Sequence, residues 1–296
     1  MNVILFGASG MLGHTVADFL YKHRQEYSKL TFTVKEEKQE KFQNKWQEAN
    51  IIPFNVAIDL TIPVLRGHDY AINCIGMINK LIDENNEDSV RRAKLINTSF
   101  PNWLAAAGEL TNTKILHIST DCVYSGKRGG YGELDKHDAT DIYGKTKSEG
   151  ESENENMKII RCSIIGPELD TKYGLFEWFM SQQRGDLVNA FTNHFWNGVT
   201  TRTFAKLCHA VITNDFDLPH IHHFVPLEAI SKADLLTQLS IIYKHYPSIK
   251  FVEAPETIDR SLTTVHKALN EYLWQKMGYS EIPPIVQLLQ EMYNEV

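Results

Sequence analysis

Three tyrosines in this chain are each followed by a lysine four residues later. The pairs are Tyr143 and Lys147, Tyr246 and Lys250, and Tyr272 and Lys276. On a helix this spacing places both side chains on one face. A tyrosine with the ordinary pKa of about 10 is a poor proton donor at neutral pH unless a cation stabilises its phenolate. A pair of this kind therefore has the minimum composition of a general acid for the reduction of a carbonyl group.

Position along the chain separates the three pairs. Tyr246 precedes Pro247, which biases the tyrosine away from helical geometry and removes the shared face. Tyr272 lies in an amphipathic segment near the end of the chain, where we expect a packing role. Tyr143 follows an apolar, strand-like run that ends in Ser119-Thr120-Asp121. Because ligand residues gather at the carboxyl ends of parallel strands, we expect Tyr143 and Lys147 to be the reactive pair.

A second motif lies at the start of the chain. Gly7, Gly10 and Gly13 follow the strand-like run from Asn2 to Phe6 and open an amphipathic helix. Glycines at these places allow a tight turn, let the backbone approach a pyrophosphate and let the helix pack closely on the sheet. His14-Thr15 follows Gly13 in place of the lysine and hydroxyl residue of a P-loop, which excludes that class of ATPase.

The elements that must position these motifs alternate between short β-rich runs and longer helical patterns. The apolar runs are Asn2 to Phe6, Leu30 to Val34, Tyr70 to Ile75, Lys114 to Ser119 and Lys158 to Ile164. They lack a polar alternate face, so helices are expected to cover both sides of a parallel sheet. The prediction is an α/β fold with a doubly wound, Rossmann-type parallel sheet.

The rhythm changes after Gly166-Pro167 to aromatic-rich segments that we interpret as helical or irregular, Phe191 to Trp196 among them. We therefore predict a dinucleotide-binding domain over residues 1–167 and a smaller mixed α/β substrate domain over residues 168–296. The chain is expected to return to the first domain around residues 198–226. A cleft between the two domains is where a ligand tends to bind.

Composition excludes several classes of function. The 296 residues are 43% hydrophobic and carry a net charge of −7, which disfavours nucleic acid and anionic membranes as partners. No apolar run approaches the ~20 residues that span a bilayer, and no leader precedes Asn2, so we expect a cytoplasmic protein. The four cysteines are expected to be reduced packing residues. We predict no metal site, because strand alternation separates His220 and His222 from His223.

Three sequence blocks carry a resemblance to a known superfamily. They are the glycine motif, Ile118-Ser-Thr-Asp-Cys-Val-Tyr-Ser-Gly126 and Tyr143-Gly-Lys-Thr-Lys-Ser-Glu-Gly150. With Ile160-Arg-Cys-Ser-Ile-Ile-Gly-Pro167, they resemble the extended short-chain dehydrogenases/reductases. The likeness covers the first 167 residues and is greatest to the dTDP-4-dehydrorhamnose reductase family. It implies reduction of the keto group of a nucleotide-linked 4-keto-6-deoxy sugar.

The resemblance also implies site residues. Thr120 would polarise the substrate carbonyl, Tyr143 would donate the proton, and Lys147 would hold the nicotinamide ribose and lower the pKa of the tyrosine. The implied cofactor contacts are Gly7, Gly10, Met11, Leu12, Gly13, Lys35, Asp59, Leu60, Cys74, Ile75, Gly76, Tyr143 and Lys147. Lys35 favours NADP, although Glu36 follows at once, so NAD stays open.

Alternatives remain within the same fold. A nucleotide-sugar epimerase needs the same triad and a tightly held cofactor, whereas a dehydratase needs a carboxylate where this chain has Cys122. A non-catalytic, NADP-binding regulatory subunit is a third alternative, which the intact triad disfavours. Among the aromatic residues, Trp196 is the one predicted to contact substrate. The expected partner is a small nucleotide sugar, and a homo-oligomer is left open.

Overall fold

The computed structural model describes residues 1–294, and its strands and helices alternate through the first half of the chain. The strands are β1 (Asn2–Phe6), β2 (Lys29–Val34), β3 (Asn50–Pro53), β4 (Tyr70–Asn73), β5 (Lys114–Ser119), β6 (Met157–Arg161), β7 (Ile164–Ile165), β8 (Leu187–Phe191), β9 (His194–Trp196), β10 (Val199–Thr200), β11 (Ile221–His223), β12 (Ile230–Ser231), β13 (Ser248–Val252) and β14 (Ile258–Asp259). The helices are α1 (Met11–Lys22), α2 (Gln39–Lys45), α3 (Thr61–Leu65), α4 (Glu87–Lys94), α5 (Phe100–Thr111), α6 (Ile142–Glu149), α7 (Leu175–Met180), α8 (Thr201–Thr213), α9 (Lys232–Tyr243), α10 (Lys267–Lys276) and α11 (Ile285–Asn294).

Seven strands form the central sheet in the spatial order β3-β2-β1-β4-β5-β6-β11. Every neighbouring pair in it is parallel. The strand order reverses between β1 and β4, and ligands of such sheets bind at the carboxyl edge beside that switch point. The predicted doubly wound, Rossmann-type fold is confirmed.

Both faces of the central sheet are covered by apolar side chains. Val3 and Leu5 of β1 pack on one side with α1, α8 and α10, and Trp274 of α10 is fully buried there. Ile4 and Phe6 pack on the other side with α3 and α5. This alternation along one strand explains why the sequence shows a continuous apolar run rather than a polar alternate face.

The C-terminal half has a core of its own, built from α7, α9, α11 and short strands. Phe179, Val188, Leu236 and Leu289 lie in this core. Its sheets are β12-β9-β14 and β13-β8. The chain returns to the central sheet through α8, which packs on α1, and β11, which pairs with β6. A domain boundary at residue 167 stays a prediction.

Two segments differ from the sequence-based expectation. Phe191 to Trp196 is not helical: it spans the end of β8 and all of β9, because β13, β12 and β14 supply hydrogen-bonding partners from distant parts of the chain. The run from Lys158 to Ile164 is not one strand, since the chain leaves the central sheet after Arg161 and pairs with β10 instead. Tertiary partners decide both cases.

Within residues 1–294, none of the helices is both long and apolar enough to span a bilayer.

Candidate active site

The glycine motif forms a tight turn between β1 and α1. Gly7 has a φ of +88°, which favours glycine, and its N–H donates to Thr33 Oγ1 at 3.0 Å. A Cβ on Gly13 would lie 2.0 Å from the Gly7 carbonyl oxygen, so the start of α1 is pressed directly onto the end of β1. Met11 and Leu12 begin α1, so their N–H groups have no acceptor within the helix and lie at the carboxyl end of β1. This geometry fits a dinucleotide pyrophosphate.

The turn after β4 lies against the glycine turn. A Cβ on Gly7 would be 2.9 Å from Ile75 Cγ1 and 3.3 Å from the carbonyl carbon of Cys74. Asn73 holds this second turn, because its Oδ1 accepts the Ile75 N–H at 3.0 Å. Gly76 follows, with Asn97 Oδ1 3.8 Å from where its Cβ would be. The structure thus brings two groups of predicted cofactor residues together, the glycine turn and the turn of Cys74, Ile75 and Gly76.

The other predicted cofactor residues are at the carboxyl ends of β2 and β3. Lys35 directly follows β2 and is exposed. Asp59 is hydrogen-bonded within its own loop, where its Oδ2 accepts the Asn55 N–H at 2.5 Å. Leu60 is 75% exposed at the start of α3. Their contacts with the cofactor stay predictions.

Thr120 and Tyr143 come together at the carboxyl end of β5. The Thr120 hydroxyl lies within reach of the Tyr143 phenol, and Thr120 Oγ1 donates to Asp121 Oδ1 at 3.1 Å and accepts the Cys122 N–H at 3.2 Å. The pKa of Tyr143 is raised above its ordinary value because the side chain is buried, and Cys122 and Asp121 raise it further, while the Thr120 hydrogen bond lowers it. The net shift is opposite to the lowering expected from Lys147. Burial is the largest cause of this shift.

Lys147 is 4% exposed and points back under β5. Its Nζ donates to the Ile118 carbonyl at 2.8 Å and lies 3.4 Å from His117 Nε2. Burial lowers the pKa of Lys147 to about 8, while Glu151 and Cys74 act in the opposite direction. Cys74 belongs to the turn that touches Gly7, so Lys147 interacts electrostatically with a residue of that turn.

Two glycines determine how closely α6 approaches β5. A Cβ on Gly144 would lie 2.2 Å from the Cys122 carbonyl oxygen, and one on Gly150 would lie 1.9 Å from the Asn97 carbonyl oxygen. Asp141 caps the helix by accepting the Gly144 N–H at 2.7 Å. Both glycines lie in the sequence block from Tyr143 to Gly150, but the sequence pattern alone predicted no role for either. One glycine lies inside the Tyr-x-x-x-Lys motif and the other three residues after it, and these positions are the signal that could have indicated close packing of α6.

Asn97 is a further residue that sequence reasoning missed. It lies in a π-helical turn, Leu95–Ser99, that joins α4 to α5. Its Oδ1 accepts the Met77 N–H at 2.8 Å, and its Nδ2 donates to the Met77 carbonyl at 2.9 Å and to Thr146 Oγ1 at 3.2 Å. Asn97 therefore ties the loop after β4 to α6.

Two cations approach the site from the C-terminal half. Arg260 follows β14 and donates from Nε to the Tyr124 carbonyl at 2.9 Å. Burial raises the pKa of Asp121, and the charge of Arg260 opposes that rise. Lys232 begins α9, and burial and the neighbouring Arg260 lower its pKa. Asp121 and Cys122 act on Lys232 in the opposite direction. This clustering of positive charge beside Thr120 was not foreseen, because residues 232 and 260 meet only in the folded chain.

Trp196, the predicted substrate contact, lies in the C-terminal core. It is 9% exposed, and its Nε1 donates to Ser163 Oγ at 2.8 Å. Arg202, at the start of α8, lies over the ring of Phe19 at 4.3 Å. A substrate contact of Trp196 stays a prediction.

The histidines singled out in the sequence are not grouped as metal ligands. His222 and His223 are buried, and His223 Nδ1 lies 2.8 Å from the Thr263 carbonyl oxygen. Elsewhere, potential ligand atoms of His23, Glu26 and His209 lie within 4.8 Å of one another. Ion pairs between Glu26 and each histidine account for that grouping.

Solved structures of other proteins share the fold of this chain. A search of curated proteins finds no match. A dTDP-4-dehydrorhamnose reductase structure from Clostridium acetobutylicum is 19% identical with a TM-score of 0.71, covering 100% of this chain and 99% of that one. One from Bacillus anthracis, solved with NADP, is 18% identical with a TM-score of 0.72 and full coverage of both chains.

A UDP-glucuronic acid 4-epimerase variant from Bacillus cereus, solved with NAD and a fluorinated sugar nucleotide, is 14% identical with a TM-score of 0.77. It covers 99% of this chain and 98% of that one. At these identities the likeness shows the fold, and the fold is one in which both NADP and NAD are bound. The family model described as the RmlD substrate binding domain matches residues 1–296. The chain therefore belongs to the RmlD substrate binding domain family, as the sequence blocks indicate.

Proposed function

We propose that this protein is an NADPH-dependent reductase that converts the 4-keto group of a nucleotide-linked 6-deoxy sugar to an alcohol. The observation that carries the proposal is the approach of the Thr120 hydroxyl to the Tyr143 phenol, with Lys147 one helical turn later. The pair lies at the carboxyl edge of β5, and Lys147 Nζ donates to the Ile118 carbonyl of that strand at 2.8 Å.

The residues that would hold the cofactor follow the carboxyl edge of the sheet. The glycine turn and the start of α1 would bind the pyrophosphate, and Lys35 would bind the 2′-phosphate. Asp59 and Leu60 would contact the adenine end, and Cys74, Ile75, Gly76 and Lys147 would contact the nicotinamide ribose. When bound, the reduced nicotinamide supplies the hydride.

The proton comes from the chain. Burial keeps the Tyr143 phenol protonated at neutral pH, because the raised pKa disfavours the phenolate. A carbonyl oxygen seated between Thr120 and Tyr143 would receive two hydrogen bonds, and the developing negative charge on it would be stabilised. Tyr143 then gives its proton to that oxygen, and Lys147 provides the positive charge that the phenolate needs.

The cation pair of Lys232 and Arg260 favours an anionic substrate over a free sugar. Two positive side chains are held near each other although they repel, with Asp121 as the neighbouring carboxylate. A diphosphate or another anion would relieve that repulsion. A nucleotide sugar carries such a group next to the ring that is reduced.

Dehydration is disfavoured by the chemistry of Cys122. Burial, followed by the charge of Asp121, raises the pKa of this thiol to about 12, so it is neutral at working pH and cannot replace a carboxylate base. Epimerisation is the second candidate function, favoured by the fold shared with the Bacillus cereus epimerase. The two reactions differ in whether the dinucleotide is consumed.

The test is the oxidation of NADPH in the presence of nucleotide-linked 4-keto-6-deoxy sugars. We expect turnover by the native chain and a loss of roughly 10²-fold or more in Tyr143→Phe, because the proton donor is removed. Tyr272→Phe is the matched control, since Tyr272 is also followed by a lysine four residues later, and it should keep full activity.

Two results would decide against the reductase. Full turnover by Tyr143→Phe would contradict the role of that residue. Interconversion of sugar epimers with a bound dinucleotide that is not consumed would favour the epimerase. Binding of NADP with no turnover on any keto-sugar, together with co-purification of a catalytic partner, would favour a regulatory subunit.

A further inference from the structure

A line of three buried polar side chains runs beneath the site. Asn73 at the end of β4 lies 3.0 Å from His117 on β5, measured from Asn73 Nδ2 to His117 Nδ1. His117 Nε2 in turn lies 3.4 Å from Lys147 Nζ. Asn73 and His117 are fully buried, so solvent does not satisfy their polar atoms. The positions of the hydrogens along this line therefore follow from which atoms can donate a hydrogen bond and which can accept one.

Asn73 has only one orientation that satisfies its neighbours. Its Oδ1 faces the backbone N–H of Ile75 at 3.0 Å, and an N–H group can only donate. The carboxamide oxygen must occupy that side, which places the Nδ2 amide group against His117. Asn73 is consequently a donor to His117 Nδ1.

This orientation determines the tautomer of His117. Because Nδ1 accepts a hydrogen bond, the neutral ring carries its proton on Nε2. Burial and the charge of Lys147 lower the pKa of His117 well below its usual value, so the ring is neutral at pH 7. An Nε2–H group therefore points at Lys147 Nζ.

A charged lysine cannot use that N–H group. An ammonium has three donors and no acceptor, and Lys147 already donates one hydrogen to the Ile118 carbonyl at 2.8 Å. Only the uncharged amine has a lone pair that accepts from His117 Nε2. We propose that Asn73 and His117 are positioning residues for the proposed reduction, which favour the uncharged amine of Lys147 through a fixed imidazole tautomer.

The other groups that face Lys147 act in the opposite direction. Cys74 from the turn after β4 and Glu151 from the segment after α6 both raise its pKa, and Glu151 is itself bonded to Arg161. Tyr143 lies one turn earlier on the same helix. His117 is thus the neighbour whose hydrogen bonding opposes the ammonium. The consequence, which rests on the proposed function, is that the charge available to stabilise the Tyr143 phenolate changes within the working pH range.

The experiment is NMR on the full chain without substrate or dinucleotide. Nitrogen shifts of ¹⁵N-labelled histidine report the tautomer of His117, and ¹³Cε shifts of labelled lysine report the titration of Lys147, which is assigned by its absence in Lys147→Met. We expect an Nε2–H tautomer for His117 at neutral pH and a Lys147 midpoint near pH 8.

His117→Asn tests the link between the two residues. An asparagine oxygen near the place of Nδ1 still accepts from Asn73, but nothing replaces the Nε2–H group. The Lys147 midpoint should therefore rise by about one pH unit. His68→Asn, which changes another buried histidine with a lowered pKa, is the matched control and should leave Lys147 unchanged. A folded His117→Asn protein with an unchanged Lys147 midpoint would overturn the proposal.

Asn73→Asp is a second variant that tests the same link if His117→Asn does not fold. In Asn73→Asp the carboxylate can only accept, so His117 should move its proton to Nδ1 and offer Nε2 to the ammonium, raising the Lys147 midpoint. A wild-type His117 found with its proton on Nδ1 would also contradict the proposal. These readings need no turnover, so a failure to oxidise NADPH counts against the proposed function alone.

In an active enzyme the pH dependence of kcat/KM is a further measurement, and a purely structural role of His117 would not shift it along the pH axis. The limb of kcat/KM that follows Lys147 should move upward in pH in His117→Asn. A structural role predicts an equal loss at every pH.

Discussion

The pairs Tyr143–Lys147 and Tyr272–Lys276 have the same spacing on two helices, yet they have different surroundings. On α6 the tyrosine is half-buried beside Thr120, and the amine donates to the Ile118 carbonyl of β5. On α10 the tyrosine is 42% exposed, its ring packs edge-on against Phe216, and the lysine nitrogen lies 5.2 Å from the ring centroid. Spacing creates a shared helix face, but the groups opposite that face decide whether it can do chemistry.

The two helices also differ in how they are held. α6 is pressed against the end of β5 at Gly144, against Asn97 at Gly150, and is capped by Asp141. α10 has no side-chain cap at its start. This close packing excludes water and produces the pKa shifts of Tyr143 and Lys147.

The largest effect is expected from Gly144→Val. Its side chain would start 2.2 Å from the Cys122 carbonyl oxygen and 2.5 Å from Ala139 Cβ, and the carbonyl cannot move without distorting the turn after Thr120. We expect destabilisation beyond the ~1–3 kcal/mol of ordinary overpacking, together with loss of turnover. Thermal denaturation and NADPH oxidation measure the two losses.

The control for that change is Gly132→Ala, where an added Cβ would meet no atom closer than 3.9 Å. Its stability should change by a fraction of that of Gly144→Val. Native stability and activity in Gly144→Val would show that the close approach of α6 does not hold the site together.

The next effect concerns the pH dependence of stability. The pKa of Lys147 is lowered from 10.5 to about 8 in the folded chain, so below pH 8 the full cost of burying the ammonium is present. Between about pH 8 and 10.5 the unfolded chain still binds the proton that the folded chain has released, and stability should rise with pH. Relative to Lys147→Met, the native chain should gain about 3 kcal/mol across this window.

Urea unfolding at several pH values measures that gain. Lys276→Met changes the lysine of the exposed pair, and its stability should run parallel to that of the native chain. A pH dependence of Lys147→Met that matches the native chain would mean that the ammonium is not buried at a cost.

The smallest effect is expected from Asp141→Ala. The cap on Gly144 N–H is lost, and helix caps of this kind contribute about 1 kcal/mol. Since Glu84 Oε1 still accepts the Ile142 N–H at 2.8 Å, α6 should remain folded and turnover should fall only modestly. His266→Ala at the start of α10, where no side chain caps the helix, should change stability by a few tenths of a kcal/mol at most. Equal losses in the two variants would contradict the assignment of the cap.

Local patterns predict the parts of the molecule that local physics determines. The glycine turn, the five strands of the central sheet that apolar runs mark, and the position of Tyr143 after β5 could be predicted from the chain, because apolar runs and glycine spacing act within a few residues. The doubly wound sheet and the family both follow from those blocks. Local hydrogen bonding also explains Asp59, which closes its own turn.

Features that depend on distant contacts were not predictable in the same way. β9 needs partners from residues 230 and 258, so its aromatic sequence alone suggested a helix or loop. Trp196 was selected because Asn197-Gly198 follows it, and the folded chain adds a contact from its indole N–H to Ser163 Oγ that the sequence does not indicate. The setting of Lys147 depends on His117 and on Cys74, which lie on other elements of the sheet. The spacing of Tyr143 and Lys147 in the sequence does not predict either contact.

The central claim is that Tyr143, Thr120 and the glycine turn serve one reaction site. A crystal structure of the chain with NADP and the reduced nucleotide sugar tests it most directly. The account predicts the pyrophosphate at the start of α1 and one sugar oxygen within about 2.6–3.2 Å of both the Tyr143 phenol and the Thr120 hydroxyl. A dinucleotide bound away from Gly7, or a sugar whose oxygens reach neither hydroxyl, would contradict it.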